Sequence, residues 1–300
     1  MPRSIGVLAA EHIAVGVVEH HQLVGSVLVY PEGEKDPESL QGMPAERVGE
    51  CIRERIEQIG RGQAIDVVGV GFPGIIRDGM IQDSPNLQQV KGLNLQVILS
   101  SASLRNGIPV PVRIFNDADA MAAGIAATQG HLDRFIRVWT LGKGIGFGRY
   151  PWTAGIWEGG HSVVTLDPKE HFCACGGKGH LEGIMGQRAM RLRFWDMEPD
   201  EIFASAKSGD ARCGSFVKLW HRALAAATAT SIHMDGPGKF FLTGPNARFI
   251  DLGLLGMYLH EMVKMTPLQG SIFEIVSTSD EIGIIGAAVN ASQTTGAASP

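Results

Sequence analysis

The sequence predicts an α/β protein of two lobes with a cleft between them. Its 300 residues, 44% of them apolar, can bury a sizeable core and are long enough for two lobes. The predicted order of three strands, then helix, strand and helix, occurs twice along the chain. This repeated order of elements, rather than any self-similarity of sequence, is the basis for expecting two lobes.

Three short apolar strands open the first set of elements. Apolar bursts separated by turns indicate a meander at residues 5–8, 13–18 and 23–29. A helix follows, because Val48, Cys51, Ile52, Ile56 and Ile59 recur at helical spacing. The rest is predicted as a strand at 66–72, a helix at 95–106, a strand at 110–115 and an Ala-rich helix at 118–128.

The second set of elements begins near residue 135. We expect strands at 135–141, 145–150 and 162–166, followed by helices, the clearest of which covers residues 214–232. A strand at 239–243, a helix at 247–264, a strand at 272–277 and a helix at 282–291 complete it. The predicted lobes are a smaller one, residues 1–116 with a C-terminal helix from about 281–300, and a larger one, residues 117–280.

Composition and charge exclude several classes of partner. The net charge is −5 and the pI is near 6.1, so the chain has no global attraction to nucleic acid or to an anionic membrane. The sequence contains no stretch of 18 apolar residues, so it predicts no transmembrane helix. The chain opens directly on an apolar strand, without a signal-peptide pattern or a helix-turn-helix segment. We therefore expect a cytoplasmic protein that binds neither nucleic acid nor membrane.

A metal site is predicted by the cysteines. Of the four cysteines only Cys173 and Cys175 are close together, and Cys-x-Cys is too tight for a comfortable disulfide. His180 follows them through a loop of three glycines, which permit the positive φ values needed to wrap an ion. A fourth ligand would close a tetrahedral zinc site. His161 is the first candidate for it and His171 is the competitor.

The alternative is that these thiols and histidines merely fill a core. The glycines argue against it, since a core helix or strand does not tolerate three glycines in four positions. With four protein ligands the zinc would be structural, because no position remains open for water. One nitrogen of His161 would face the metal, which leaves the other for a substrate hydroxyl.

Two stretches around this predicted knuckle carry a family resemblance. Glu-Gly-Gly-His at residues 158–161 and Cys-x-Cys-Gly-x-x-Gly-His-x-Glu at 173–182 resemble the signatures of the ROK family of bacterial sugar kinases and sugar-responsive repressors. Segments 72–74, 84–87, 115–120 and 280–288 also match in order. The resemblance implies an actin-like, ribonuclease-H-like fold. The family usually has Cys where this chain has His180, and imidazole is an ordinary zinc ligand.

The resemblance implies roles for individual residues. Asp117 would act as the general base that accepts the proton of the attacking sugar hydroxyl. Asp117 also precedes an Ala-rich helix, so capping of that helix, shared with Asn116 and Asp119, is the alternative. The residues that would hold ring hydroxyls are Asn86, Asn116, Asp117, Glu158, His161 and Glu182.

The nucleotide side departs from the family pattern. The first phosphate turn, usually Asp-x-Gly-Gly-Thr-Lys, is replaced by Leu-Ala-Ala-Glu-His at residues 8–12, which has no glycine for close approach of phosphate. Glu11 is misplaced as a magnesium ligand. The second turn has Lys143 where Thr is usual; this lysine either binds phosphate or occupies the phosphate site as a built-in cation. Pro245 removes an amide from the loop at residues 243–246, which the resemblance implies to be the adenosine-side loop. The candidate nucleotide-binding residues are Gly142, Lys143, Gly144 and Gly244.

Two functions follow from these observations. The first is a divergent kinase that transfers the γ-phosphate of ATP, with Mg²⁺, to a hydroxyl of a hexose or amino sugar. The second is a sugar-binding sensor or regulatory protein that has lost nucleotide binding. Asp117 favours the kinase, whereas the altered phosphate turns favour the sugar-binding protein without nucleotide. In either case the expected partner is a small-molecule sugar, and the resemblance implies a homodimer.

Overall fold

The computed structural model describes residues 3–31, 40–102 and 110–294, which fall into two units. The first unit contains the chain up to residue 136, residues 148–156 and the chain from residue 279. The second contains residues 137–147 and 157–278. The helix that begins at Asp117 thus lies in the first unit, whereas the sequence placed it at the start of the larger lobe. The helix predicted at 95–106 ends already at Ser100, with Ser101 as its C-cap. Residues 103–106 of that prediction and residues 295–300 lie outside the described residues.

A five-stranded sheet organises the first unit, in the order β3-β2-β1-β4-β7. The strands β1 to β3 form the predicted antiparallel meander, and β4 and β7 add in parallel beside β1. Most of β1, β2 and β4 is buried, which explains their runs of Val, Ile and Ala. The strands are β1 Ser4–Ala9, β2 Ile13–Glu19, β3 Gln22–Tyr30, β4 Val67–Phe72 and β7 Val112–Asn116.

A small hairpin between β4 and β7 has no counterpart in the predicted elements. It pairs β5, Ile75–Arg77, with β6, Met80–Asp83. The strands are three and four residues long, too short for an alternating pattern to stand out in the sequence. The hairpin lies between segments 72–74 and 84–87, which match the family pattern.

Helices cover both faces of the first sheet. Side chains of α1, Ala45–Gly60, and α2, Leu95–Ser100, share one apolar core with Ile5 and Val7. On the other face lie α3, Asp117–Thr128, and α9, Asp280–Thr294. Gly6 and Gly69 are paired across β1 and β4, and a Cβ atom on either would lie 1.9 Å from a carbonyl oxygen of α9. These glycines let the last helix lie directly on the sheet.

The sheet of the second unit has the same strand order as the sheet of the first unit, except that it lacks a strand equivalent to β3. Its order is β11-β10-β8-β9, with β8 Ile136–Leu141, β9 Ile145–Tyr150, β10 Lys239–Thr243 and β11 Ile272–Ile275. Residue 136 of β8 and residues 148–150 of β9 are assigned to the first unit. The first sheet, with β3 removed, reads β7-β4-β1-β2. The predicted third strand at 162–166 is wrong: this segment forms only a single bridge, between Val163 and His180.

Helices α4 to α8 complete the second unit. They are α4 Glu182–Met185, α5 Gln187–Arg193, α6 Pro199–Lys207, α7 Ala211–Asp235 and α8 Leu252–Met262. The predicted helix at 247–264 is divided at Asp251, whose side chain accepts a hydrogen bond from the Leu254 amide and starts α8 afresh. Among the described residues, none of the helices combines the length and apolar character that crossing a membrane requires.

Candidate metal and sugar site

The structure brings together the four residues predicted as metal ligands. The Sγ atoms of Cys173 and Cys175 are 3.4 Å apart. Nδ1 of His161 lies 3.4 Å from Cys173 Sγ, and Nδ1 of His180 lies 3.2 Å from Cys175 Sγ. One ligand atom from each residue falls within 4.8 Å of all the others. This is the only such group of three or more candidate ligands among the residues that the structure describes.

These distances fit a tetrahedral metal site. Zinc bonds of about 2.3 Å to sulfur and 2.0–2.1 Å to nitrogen would separate two sulfurs by about 3.8 Å, and a sulfur and a nitrogen by about 3.5 Å. The three contacts given above, one between the sulfurs and two between sulfur and nitrogen, are shorter than these values by a few tenths of an ångström at most. Small outward shifts of the side chains would therefore accommodate an ion. The competing ligand His171 is not part of the cluster; its exposed ring stacks on Phe172 instead.

The glycines of the knuckle are needed for its backbone. Gly176 and Gly179 have φ angles of 81° and 71°, a region that favours glycine. The Gly176 amide closes a turn onto the Cys173 carbonyl at 3.1 Å, and the Leu181 amide donates to the Ser162 carbonyl at 3.0 Å. The second stretch of chain thus lies against the first, which carries His161 into the cluster.

A salt bridge holds the beginning of the knuckle to helix α5. Arg193 donates from both terminal nitrogens to the carboxylate of Glu170. Its guanidinium also stacks 4.5 Å from the Phe172 ring centre. The Glu170 side chain is only 9% exposed, so the pair is shielded from water. Sequence patterns gave no signal for Arg193, because its partner is 23 residues away along the chain.

Metal binding to the cluster depends on the protonation of its residues. Burial, with smaller contributions from Cys175 and Glu182, raises the pKa of the Cys173 thiol to about 12. Burial and the neighbouring His161 lower the pKa of His180, so its imidazole is neutral at neutral pH. Neutral imidazole is the form that binds metal, and a cation that binds Cys173 as a thiolate would release a proton.

Two carboxylates border the cluster as predicted. Oε2 of Glu158 lies 3.8 Å from Nε2 of His161, the ring nitrogen that faces away from Cys173. Glu182, the first residue of α4, has Oε1 3.7 Å from Cys173 Sγ. The three sugar-site candidates of the second unit, Glu158, His161 and Glu182, are therefore grouped around the knuckle.

The candidates of the first unit form a separate group around Asp117. Asn116 is the N-cap of α3, with its Oδ1 accepting from the Ala118 amide at 2.9 Å. Its Nδ2 donates to the Gly74 carbonyl at 3.0 Å, which ties the loop at 72–74 to the helix. Asn116 thus takes the capping role that the sequence left open. Both atoms of its amide already have partners within the protein.

Asp117 is the first residue of α3 and is half-buried. Its Oδ1 accepts from the Ala118 amide at 3.0 Å. Burial raises the pKa of Asp117 above its usual value, against an opposing effect of the backbone amides of Ala118 and Asp117. A carboxylate with a raised pKa accepts a proton more readily, which is the property that a general base needs.

The loop that carries Asn86 lies against the same region. Gly74 has a φ angle of 115°, and a Cβ atom there would lie 2.3 Å from the Asp83 carbonyl oxygen and 3.0 Å from Ser84. The loops at 72–74 and 84–87 are therefore in close contact. Asn86 itself is exposed. Asn86, Asn116 and Asp117 thus lie on three segments that touch one another through Gly74.

The second glycine turn, residues 142–144, joins β8 to β9. Its Gly142 amide donates to the Gly144 carbonyl at 3.0 Å. The amide of Ile145, the next residue, donates to Glu182 Oε2 at 3.0 Å. The Gly142 carbonyl accepts from the Gln187 amide and from Nδ2 of Asn246, each at 3.1 Å. Gln187 and Asn246 were not among the predicted residues, because each acts on a turn that is distant in sequence.

The loop at residues 243–246 contacts this turn. A Cβ atom on Gly142 would lie 3.6 Å from the Pro245 ring. Gly244 has a φ angle of 96°, and its amide donates to Thr278 Oγ1 at 2.9 Å. The predicted nucleotide-binding residues Gly142 and Gly244 are therefore parts of one packed arrangement.

The first turn, residues 10–12, is a tight connection between β1 and β2. The Ala10 amide donates to the His12 carbonyl at 3.2 Å. Nε2 of His12 lies 2.9 Å from Oδ2 of Asp280, the first residue of α9. Glu11 is exposed. The turn thus carries an imidazole, paired with a carboxylate of α9, where the family pattern has a glycine-rich loop.

Fold and site together define a member of the ROK family. The sequence matches the ROK family over residues 27–294, and the chain therefore belongs to this family. A glucokinase from Pyrobaculum calidifontis is 26% identical over 266 residues, which cover 83% of this chain and 86% of the relative.

Solved structures share the fold. A ROK hexokinase from Thermus thermophilus superposes with a TM-score of 0.79 at 26% identity, covering 98% of this chain and 99% of that one. A ROK family glucokinase from Streptomyces griseus, in complex with glucose and AMPPNP, gives a TM-score of 0.68 at 21% identity, covering 97% and 99%. The chain therefore has the actin-like α/β fold of the ROK sugar kinases.

Proposed function

We propose that this chain is a divergent ROK sugar kinase that transfers the γ-phosphate of ATP to a hydroxyl of a hexose or amino sugar. The observation that carries the proposal is the state of Asp117. It is half-buried, it begins helix α3, and its raised pKa suits a proton acceptor. Family membership and the relatives that are glucokinases and hexokinases support the same activity.

In the proposed reaction Asp117 is the general base. The oxygen of the sugar hydroxyl attacks the γ-phosphorus, the bond to the β-phosphate oxygen breaks, and ADP leaves with that electron pair. The hydroxyl proton passes to the carboxylate of Asp117. Asn116 positions this carboxylate, since its side chain fixes the helix start and the Gly74 loop at once.

Zinc is the metal that we propose for the knuckle. Two thiolates and two imidazoles are a donor set typical of structural zinc, and the distances among them support tetrahedral binding. With His161, Cys173, Cys175 and His180 all engaged, the ion would be structural rather than catalytic. When bound, the ion would hold these four side chains in place.

The knuckle would present groups for the sugar. Nδ1 of His161 faces the metal cluster, which leaves Nε2 beside Glu158 for a ring hydroxyl. Glu158 and Glu182 supply carboxylate acceptors, and Asn86 supplies an amide. The Asn116 amide, whose oxygen and nitrogen each already make one hydrogen bond, would reach a sugar only through a second bond at one of these atoms. Polyols are recognised by such paired donors and acceptors, because an unpaired polar group in a site is costly. These roles stay predictions.

The phosphate donor is the least conventional part of the proposal. Gly142, Lys143, Gly144 and Gly244 are the residues proposed to meet the nucleotide, with Lys143 as a point charge for phosphate. The described residues of the first turn do not supply a fitting magnesium ligand, since Glu11 is exposed and the family's aspartate is absent. We therefore assign no protein ligand to Mg²⁺ and derive no step through it.

A sugar-binding sensor or regulatory protein is the second candidate. The observation that favours it is the commitment of two amides near the second turn: that of Gly142 to the Gly144 carbonyl and that of Ile145 to Glu182. A phosphate cradle uses amides that point at the ligand. The first turn, with Ala9 and Ala10, adds to this argument.

Thermal-shift titration separates the two candidates. The protein is melted with a panel of hexoses and amino sugars, with and without ATP–Mg²⁺. A kinase is stabilised by nucleotide and forms sugar phosphate in a coupled assay, and Asp117→Asn abolishes turnover while sugar binding persists. Stabilisation by sugar alone, with no turnover, supports the sensor. Retained turnover in Asp117→Asn would contradict the assignment of the base.

We also propose a cytoplasmic homodimer. None of the four cysteines, all of which lie in the described residues, is part of a disulfide, which suits a reducing compartment. Light scattering coupled to size exclusion measures the oligomeric state, and a monomer at micromolar concentration would contradict the dimer.

A further inference from the structure

We infer that Glu182 transmits the metal state of the knuckle to the glycine turn at residues 142–144, so that metal loading orders this turn. Glu182 then acts as a positioning residue, in addition to any contact with sugar. The consequence for phosphate-donor binding rests on the proposed kinase function. The effect on the turn itself does not.

The two oxygens of Glu182 reach the two regions that we propose to be coupled. Oε1 lies 3.7 Å from Sγ of the ligand Cys173. Oε2 accepts the hydrogen bond of the Ile145 amide at 3.0 Å, directly after the turn. Hydrogen bonds to a carboxylate are stronger than bonds between neutral groups, so the position of Glu182 bears on the end of the turn.

The backbone provides a second connection between the knuckle and the turn. Glu182 is two residues beyond the ligand His180 and begins the short helix α4. The Gly186 amide closes α4 onto the Glu182 carbonyl at 2.9 Å, and the next amide, that of Gln187, donates to the Gly142 carbonyl at 3.1 Å. A displacement of His180 would therefore reach both ends of the turn, Gly142 through α4 and Ile145 through the carboxylate.

Close packing leaves little room to absorb such a displacement. A Cβ atom on Gly186 would lie 2.9 Å from the Lys143 carbonyl oxygen, so α4 lies against the turn. The carbonyl of Gly142 also receives Nδ2 of Asn246, whose Oδ1 accepts from Nε2 of Gln187 at 3.1 Å. The adenosine-side loop is thus part of the same hydrogen-bonded group.

The beginning of the knuckle is held differently. Glu170 and Phe172 are fixed by Arg193 of α5 through a salt bridge and a stacking contact. This anchor contains no metal ligand. Metal removal should therefore loosen residues 173–182 and the turn, whereas residues 170–172 stay in place.

Hydrogen exchange of the full chain tests the inference. Protein loaded with Zn²⁺ is compared with protein stripped by a chelator, and metal content is verified in both. We expect stripping to speed exchange of the Ile145 amide by at least about tenfold, the effect of losing one hydrogen bond to a charged group. Exchange in β4, residues 67–72, serves as the reference and should not change.

Variants show whether Glu182 is the connection. Glu182→Ala should speed exchange at Ile145 in the loaded protein, and stripping should then add little there while it still loosens residues 173–180. Glu182→Gln, which keeps an acceptor oxygen and the side-chain size, should be intermediate and covers the case in which the alanine variant does not fold. Glu158→Gln is the matched control, because it changes a carboxylate beside the ligand His161, and it should leave Ile145 unchanged.

The outcomes are distinct. If stripping loosens the knuckle but leaves Ile145 protected, or if Glu182→Ala responds to stripping as the unmodified protein does, the inference is overturned. If exchange behaves as expected, ATP–Mg²⁺ affinity is measured in loaded and stripped protein. Loss of affinity on stripping extends the coupling to the donor. Absence of nucleotide binding in both states counts against the proposed kinase and leaves the coupling standing.

Discussion

Replacing Gly177 with alanine tests whether the four candidate ligands act as one metal site. A Cβ atom at position 177 would lie 2.0 Å from Cε1 and 2.4 Å from Nε2 of the His180 ring. Ordinary van der Waals contact begins at 3.4 Å, so ring and loop would have to separate by about 1.4 Å. A zinc–nitrogen bond tolerates a deviation of only about 0.2 Å, and the displaced imidazole would no longer bind the ion.

We expect Gly177→Ala to weaken Zn²⁺ binding by at least about 100-fold. A loss of this size is the upper end of what is found when a group that hydrogen-bonds to a metal-ligating side chain is replaced, and here the ligand itself is displaced. Competition with a chromophoric chelator measures the affinity. Gly176→Ala is the matched control: its Cβ atom would meet nothing within 4 Å, and only its φ angle of 81° is unfavourable. That strain of about 1–2 kcal/mol corresponds to a loss of about tenfold. Unchanged affinity in Gly177→Ala, or an equal loss in both variants, would refute the reasoning.

Three further predictions concern stability. Asp117→Asn should melt at a higher temperature than the unmodified protein at pH 7. Because the folded-state pKa of Asp117 is raised, the stability of the unmodified protein falls as the pH rises from the unfolded-state pKa, about 4, through the folded-state pKa. The melting temperatures of the two proteins should therefore converge towards about pH 4. Gly286→Ala should lower the free energy of unfolding, measured in urea, by about 1–3 kcal/mol, since its Cβ atom would lie 1.7 Å from the Ala120 carbonyl oxygen in α3. Gly256→Ala in α8, where nothing lies within 4 Å of the added Cβ atom, should instead raise it by about 0.5–1 kcal/mol. Arg193→Ala should lower the free energy of unfolding by about 3 kcal/mol, because Glu170 would be left without its cation. Adding Glu170→Gln to this variant should restore part of the loss. If the variants in this paragraph were as stable as the unmodified protein, the packing described would be contradicted.

Periodicity was enough to predict most elements of the fold. Strands and helices with a buried face carry their pattern in the sequence, as in the meander β1 to β3 and in helix α1. The strand predicted at 162–166 failed for a local reason. Its run of Val, Val and Thr has strand character, but its backbone bonds go to the knuckle: the Val164 amide donates to the Gly179 carbonyl, and the Ser162 carbonyl accepts from Leu181.

The site was predictable only where its residues form a compact motif. Cys173, Cys175 and His180 lie within eight residues, and His161 completes the cluster that the sequence proposed. The contacts of Asn246 with Gly142 and of Arg193 with Glu170 join segments 104 and 23 residues apart. No short pattern carries such pairs, since they depend on how the elements pack. The start of α3 was likewise settled only by geometry: Asn116 is the N-cap residue, and the Ala118 amide is shared between its Oδ1 and that of Asp117.

The two glycines proposed to meet the nucleotide differ in what the protein itself requires of them. Gly244 is required by the fold: its φ angle is 96°, and a Cβ atom there would lie 2.4 Å from the Leu141 carbonyl oxygen. Gly142 is not, because its φ lies outside the left-handed region and its Cβ atom would meet nothing closer than 3.6 Å.

A ligand that approaches the backbone is therefore the physical reason left for glycine at position 142, and this separates the two candidate functions. Gly244→Ala should destabilise the protein under either function. Gly142→Ala should leave the melting temperature within about a degree of the parent. In a kinase it should nevertheless weaken ATP–Mg²⁺ binding by about tenfold or more, because a methyl group would stand between phosphate and amide. A Gly142→Ala variant with unchanged nucleotide affinity in calorimetric titration would remove this turn from the phosphate site. The sensor would then be the better account of the molecule.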